Sequence, residues 1–424
     1  MRTLLPLAAL AAPVQAQTPV EARAAELPAI LNGAGDAGAS FAPAFLANVP
    51  AAQIAALAAQ LRAANGAVTG VEAVEATSPH AATVRIGYAR AVAVVEMAVD
   101  PSAPHRIVRL LIKGTSAREA TLDAVAAALA ALPGTTGFLL ARLDGAEPVP
   151  VMARNETRAF AIGSEFKLVI LAELVRAVAA GERRWGDEVV LDGSPLPGGG
   201  YTLVPAGGKV TLKELAQRMI AVSDNSATDI LLRALGREKV EAMLPVVGIA
   251  RPAGMRPFLG TLEVFKLKGV DGGSLGRRWA AADEAGRRAL LAGDVAKAPI
   301  GAIDGTMFAA GKPIQIDTAE WFATPADMVR VMDWLRRNTE TGPAAEARAI
   351  LSANPGVGAA ASAWRYVGYK GGSEPGVIAM TFLLQGQDGA WYAMSASWND
   401  PATAVDDARF ASLLSRAVEL AAAH

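Results

Sequence analysis

The sequence predicts a chain in two parts: a small α+β module of helices and a small antiparallel sheet, and a larger α/β domain whose antiparallel sheet is flanked by helices and joined to an all-helical part. Three observations carry this. The 424 residues exceed what one ordinary core accommodates. Helical runs give way to strand-like runs before Gly114. The longer remainder opens with helix and strands, turns helical, and closes with strands and helix.

Residues 1–16 read as a secretory signal peptide: "MRTLLPLAALAAPVQA" holds one arginine, a short apolar run and small residues at Val14 and Ala16, and is too short to span a bilayer. Residues 17–114 make the small module. "FAPAFLANVPAAQIAALAAQLRAANG" reads as two short helices, the second ending at Gly66, and "AATVRIGYA", "AVAVVEMAVD" and "HRIVRLLIKG" read as three strands.

Residues 115–424 make the large domain. Ser116 to Glu119 spell a capping box that would open the helix "AREATLDAVAAALAAL". "TGFLLARL" and "EPVPVMAR" form a hairpin around Asp144 and Gly145, and Ser164 stands at the start of an apolar helix. "KELAQRMIAVSDNSATDILLRAL" gives two helices interrupted at Ser223, Asp224 and Asn225. Thr324 caps a further helix with Pro325 at its first position. "WRYVGYKG", "GVIAMTFLLQG" and "WYAMSASWN" are strands, and a helix over Ala402 to Ala422 closes the domain.

Composition removes several classes of function. A net charge of -1 without a Lys/Arg block gives no electrostatic case for nucleic acid. No later stretch is long and apolar enough to anchor the chain in a membrane, so a periplasmic or secreted protein, monomeric or weakly oligomeric, is expected. The chain has no cysteine, and its three histidines, His80, His105 and His424, lie in the first quarter or at the very end. A Ser-His-Asp triad, thiol chemistry and a histidine-rich zinc site are therefore not expected in the large domain, and proton transfer there falls to Lys, Tyr or a carboxylate.

Lys167 is the anomaly in the apolar run "AIGSEFKLVILAELVRA". Ser164 and Lys167 stand three apart, so on a helix they share a face and the amine can reach the hydroxyl. The helix N-terminus favours negative charge on the serine oxygen, and burial lowers a lysine pKa until the amine works as a base. The plainer alternative is a capping serine followed by a lysine that snorkels to solvent. Ser223, Asp224 and Asn225 come 59 residues later at a helix break, where a hydroxyl can relay a proton and an amide can hold a carbonyl. A polar turn with a capping serine explains that stretch equally well. Tyr369, Lys370, Gly371, Gly372 and Ser373 fall within a strand that two glycines weaken, which suits close approach by a ligand or a simple bend.

In that order, these elements resemble the motifs of the penicillin-recognising serine hydrolases, most closely the class A β-lactamase group, with its Ser-x-x-Lys, Ser-Asp-Asn and Lys-Thr-Gly. The resemblance covers roughly Ser116 to His424. The small module followed by such a domain is similar to the β-lactamase-like protein of clavulanic acid biosynthesis, and the module itself resembles cystatin/NTF2-like cone-shaped folds; we read it as a docking or substrate-access element. The resemblance implies Ser164 as acylated nucleophile and Lys167 as its base. It further implies Ser223 as proton shuttle, Asn225 on the substrate's amide side chain, and Lys370 with Gly371, Gly372 and Ser373 against the substrate carboxylate. The backbone amides of Ser164 and Ser373 would form the oxyanion hole. No metal or cofactor is implied.

Three departures qualify the substrate. The resemblance places the deacylating role on Glu263, the sole acid between Arg251 and Val270, but Lys266 and Leu267 stand where the family has Leu and Asn, and a surface acid or a lysine's partner is the alternative. Gly371 replaces a threonine. The segment Asp271 to Thr318, with its helix "GRRWAAADEAGRRALLAG", is either a lid over the cleft or surface decoration. The expected activity is hydrolysis through an acyl-enzyme of a small-molecule substrate, a β-lactam first and a simple ester second. A protein that binds β-lactam without turnover is the third reading.

Overall fold

The computed structural model describes residues 17–423, so the expected signal peptide and His424 lie outside the described residues. Two compact units divide between Thr115 and Ser116. The first carries helices α1 (Pro19–Ala24), α2 (Leu27–Leu31), α3 (Ala37–Ser40), α4 (Pro43–Asn48) and α5 (Ala51–Asn65), then strands β1 (Val68–Ser78), β2 (Ala81–Tyr88), β3 (Ala91–Val99) and β4 (Ile107–Ala117) in one sheet of that order. Gly66 ends α5 at φ +84°, a turn that a residue with a side chain resists. Val84, Ile86 and Tyr88 of β2 pack with Phe41 and Ile107 in the core of this unit.

The first unit has one strand more than its sequence patterning suggests. β1 is long and mostly exposed, and its register against β2 shifts repeatedly, so the alternation that marks a half-buried strand is absent from "VTGVEAVEATS". Strand β4, at the opposite edge of that sheet and with its last residues Ser116 and Ala117 already in the second unit, corrects another expectation. Ser116 is not a helix cap: it lies in the strand and its hydroxyl donates to Glu419 at 2.8 Å. Helix α6 (Leu122–Ala130) starts later, with the Thr121 hydroxyl accepting from the Ala124 amide.

The second unit is built around a five-stranded antiparallel sheet. Strands β5 (Thr135–Arg142) and β6 (Val149–Arg154) form the expected hairpin. The short strand β7 (Phe160–Ala161) precedes helix α7 (Lys167–Ala179), and β8 (Glu188–Val190) pairs with β9 (Lys209–Thr211). Helices α8 (Leu212–Ala221), α9 (Asn225–Leu235), α10 (Arg237–Val246) and α11 (Thr261–Gly269) make the helical part. The expected single helix after Asp271 is two, α12 (Ser274–Ala281) and α13 (Glu284–Leu290), because Asp283 caps the second through the Gly286 amide. The strand β10 (Phe322–Ala323) pairs with β7 and leads into α14 (Pro325–Asn338), where Thr324 and Asp327 exchange capping bonds at 3.0 Å.

Helix α15 (Glu346–Ser352) precedes strands β11 (Tyr366–Glu374), β12 (Val377–Gln385) and β13 (Trp391–Asn399), and α16 (Asp407–Ala421) closes the chain. α16 starts later than the apolar pattern suggests because Asp406 caps it, accepting from the Arg409 amide. The sheet order β11-β12-β13-β5-β6 joins strands from both ends of the unit and leaves β11 at one edge. Alternation along β5 splits its side chains: Leu139 and Ala141 join the core around α7, while Phe138 and Leu140 join the core around α6 and α16. α7 runs between sheet and helices with nearly every side chain buried. Full burial of Leu168, Ile170, Leu171 and Leu174, worth roughly 1.5–3 kcal/mol each, locks the helix that carries Lys167.

Candidate active site

Ser164 sits in a single 3-10 turn, Gly163–Phe166, immediately before α7. Gly163 holds φ +48°, and a Cβ there would lie 3.1 Å from the Ser373 amide nitrogen. A Cβ on Gly372 would lie 2.2 Å from the Ile162 carbonyl and 2.4 Å from the Ser164 nitrogen. These two glycines let the turn lie directly on the edge strand β11, which brings the Ser164 and Ser373 amides together.

Lys167, in the first turn of α7, is fully buried. Its Nζ donates to the Ser223 carbonyl at 2.6 Å, to Asn225 Oδ1 at 2.8 Å and to Ser223 Oγ at 3.1 Å. Burial first, and the Lys370 charge second, lower its pKa to about 6, with Asp229 and Asp224 opposing. Lys370 reaches from β11 to the same hydroxyl, Nζ to Ser223 Oγ at 2.9 Å. Burial lowers its pKa to about 8 while Glu165 acts the other way. The Ser164 hydroxyl has no hydrogen-bond partner among the described residues, a looseness common in unliganded catalytic sites.

The loop between α8 and α9 is fixed from within. Ser223 takes φ +56°, a conformation that costs a side-chain-bearing residue on the order of 1–3 kcal/mol. Asp224 holds it there. Burial works against the Asp224 charge, but the Ala227 and Gly200 amides, the Ser226 hydroxyl and Arg218 outweigh it and bring the carboxyl down to about 2. Asn225 is the first residue of α9, which turns its amide toward Lys167.

A groove of about 560 Å³ is lined by Ser164, Ser223, Asn225, Lys370, Gly371 and Ser373, among others, with Gly372 between them. Glu263 stands apart. At the third position of α11 it accepts from the Gly260 amide at 2.7 Å and from Arg237 at 2.6 and 3.0 Å, and it lines a separate cavity of about 330 Å³. The helix N-terminus and a guanidinium claim its carboxylate, whereas Lys266 turns to the Val295 carbonyl instead. No residue of the segment 271–318 lines the Ser164 groove; within the segment, the Gln315 side-chain amide donates to the Gly273 carbonyl at 2.9 Å and so holds its two ends together.

Two groups of charged residues escaped the sequence reading. Glu165, inside the serine motif, is fully buried, neither of its oxygens has a hydrogen-bond partner, and burial pushes its acid up to about 8 against the pull of Thr381 and Lys370. Lys268, Glu320 and Glu374 form a buried cluster, Lys268 Nζ lying 2.6 Å from Glu320 and also bonded to Glu374. The only sequence signal for it is a lysine set among apolar neighbours. Among the described residues no group of three His, Asp or Glu is arranged to hold a metal ion, and no helix is long and apolar enough to cross a membrane.

The model of the Beta-lactamase enzyme family matches residues 118–418. The chain belongs to that family. It is a β-lactamase-like serine hydrolase, as the three motifs implied, and its large unit is the expected β-lactamase-like domain. Among solved structures the chain is similar to a β-lactamase from Sphaerobacter thermophilus, with 22% identity and a TM-score of 0.46 over 70% of this chain and 94% of that one. A β-lactamase from Xanthomonas campestris pv. campestris gives 19% and 0.47 over 70% and 95%, and PBP-A gives 14% and 0.47 over 71% and 94%. No curated protein matches.

Proposed function

We propose that this member of the Beta-lactamase enzyme family is an exported hydrolase that works through an acyl-enzyme on Ser164. The observation that carries the reading is the meeting of two buried lysines on the Ser223 hydroxyl beside a serine seated against the Ser373 amide. Neutral Lys167 takes the Ser164 proton as the hydroxyl attacks a carbonyl carbon, and Ser223 passes a proton to the leaving group. The Ser164 and Ser373 amides stabilise the developing oxyanion, and Lys370 supplies positive potential for an anionic substrate and holds the shuttle. Asn225 meets the substrate's amide or carbonyl.

A β-lactam is the first substrate class, on the strength of the family. Simple esters are the second, favoured by the absence of a hydroxyl at Gly371 and by the engagement of Glu263 with Arg237, since an ester demands less of the general acid. Steady-state turnover of a chromogenic cephalosporin beside a short-chain nitrophenyl ester decides between them. Faster turnover of the cephalosporin supports the first class, and turnover of the ester alone supports the second. A stable stoichiometric adduct from both, without turnover, would sink the enzyme reading in favour of a binding or sensor protein.

A further inference from the structure

Hydrolysis of a serine ester needs a water and a base beside the acyl carbon, and Glu263 is held elsewhere. A second, smaller cavity of about 80 Å³ opens on Ser164 and is lined by Asn225, Thr261, Glu320, Ser373 and Glu374 among others. That volume has room for one or two waters. Thr261 is 4% exposed, and its hydroxyl oxygen is buried without a hydrogen-bond partner in the wall of this cavity. An orphaned hydroxyl costs stability unless something polar occupies the space beside it.

We propose that Glu374 is the general base for hydrolysis of the Ser164 acyl-enzyme, with Lys268 and Glu320 as positioning residues and the Thr261 hydroxyl as a further anchor for the attacking water. This rests on the acyl-enzyme reading above. Glu374 follows Ser373 on β11, and strand alternation puts it on the same face as Lys370 and Gly372, the face turned to Ser164. Lys268 is fully buried and bonds both carboxylates, and the other Glu320 oxygen accepts from the Trp321 amide at 3.3 Å, so the cluster is fixed in place. Burial and the neighbouring Glu320 carboxylate raise the Glu374 pKa well above the ordinary value, with Lys268 opposing, so the carboxylate form that alone can take a proton from water is reached only as pH rises through that raised value.

The step balances within the site. An O–H bond of the water breaks as its oxygen bonds to the acyl carbon, and Glu374 takes the proton. The bond from that carbon to Ser164 Oγ then breaks, Oγ regains the proton from Glu374, and the acid product leaves. Glu374→Gln keeps the shape and leaves Lys268 and Glu320 as a balanced pair, and Glu374→Asp keeps the base on a shorter arm.

The test mixes 4-nitrophenyl acetate with wild type, Glu374→Gln, Glu374→Asp and Ser164→Ala, following nitrophenolate release and intact-protein mass. The expected result is an unchanged burst in Glu374→Gln with a persistent acyl adduct and turnover slowed about a hundredfold or more, partly restored in Glu374→Asp. Clearance of the adduct at the wild-type rate overturns the proposal. So does an equal fall in burst and turnover, which is what a purely structural Glu374 would give. A burst that survives in Ser164→Ala refutes the acyl-enzyme reading itself, and the proposal falls with it.

Discussion

Lys167 and Lys370 meet on one hydroxyl: their ammonium nitrogens stand 3.1 and 2.9 Å from Ser223 Oγ. Two cations brought this close in a dry site cannot both keep their protons easily. Each is also desolvated, and the outcome is a pair whose members titrate apart, at about 6 for Lys167 and about 8 for Lys370. Between those values one amine is free to accept a proton while the other still carries charge, which is the division of labour that serine acylation needs.

The acylation rate should therefore trace a bell against pH. It rises as Lys167 loses its proton near pH 6 and falls as Lys370 loses its charge near pH 8. Lys370→Met removes the repulsion that helps depress Lys167, so the acid limb should move to higher pH. Stopped-flow burst rates of wild type and variant check both points, and an acid limb that stays put in the variant would show that Lys370 does not act on Lys167.

Glu165 should make the protein's stability fall with rising pH. Its folded pKa, about 8, lies above the ordinary 4.5, so between those values the native state keeps a proton that the unfolded state has released. The folded state is thus penalised progressively from pH 4.5 to 8, by on the order of a few kcal/mol at the upper end. Glu165→Gln removes the penalty. Its gain in melting temperature over wild type should be small near pH 4.5 and grow toward pH 8; a gain independent of pH would contradict this account.

The contact between the serine turn and β11 should tolerate no side chain. A Cβ at Gly372 meets backbone, the Ile162 carbonyl and the Ser164 nitrogen, at 2.2 and 2.4 Å, and backbone cannot step aside as a flexible side chain can. Gly372→Ala is expected to separate the two amides and slow acylation about a hundredfold, the scale of a lost oxyanion donor. Acylation at the wild-type rate in a folded Gly372→Ala protein would remove those amides from the mechanism.

Restoring the family's threonine should harm this protein. A Cβ at Gly371 would stand 2.1 Å from the Tyr369 hydroxyl, whose ring is stacked on Phe382 at 5.0 Å and backed by Gly356. Gly371→Thr is predicted to cost about 1–3 kcal/mol in denaturant unfolding through overpacking. Gly371→Thr with Tyr369→Phe, which removes the clashing oxygen and keeps the stacked ring, should recover part of that loss, and non-recovery would place the strain elsewhere.

The parts of the fold visible in the sequence are those where local chemistry and tertiary demand agree. Thr324 and Pro325 start α14 where their capping chemistry says, and the alternating or wholly apolar runs of β11, β12 and β13 are strands because both faces of the sheet are covered. The site was legible where three short motifs share one groove, since each carries a local mark: Ser164 stands just before α7 and Ser223 just before α9, while the third motif puts two glycines inside the strand β11. Glu374 and Glu320 were invisible because nothing local marks them; Lys268 reaches them across 106 and 52 residues of sequence. Glu263 misled for the opposite reason, its local position being right while Arg237, remote from the motif, takes its carboxylate.

Acylation at Ser164 means a covalent bond to one oxygen, and that bond can be located directly. Wild type and Ser164→Ala are mixed with a chromogenic cephalosporin and, separately, with a short-chain nitrophenyl ester, quenched in acid at successive times, digested, and the adduct is located by peptide mass. An adduct on the peptide carrying Ser164, absent from Ser164→Ala, is the predicted result. An adduct on another residue, or one that persists in Ser164→Ala, would contradict the assignment of Ser164 as nucleophile.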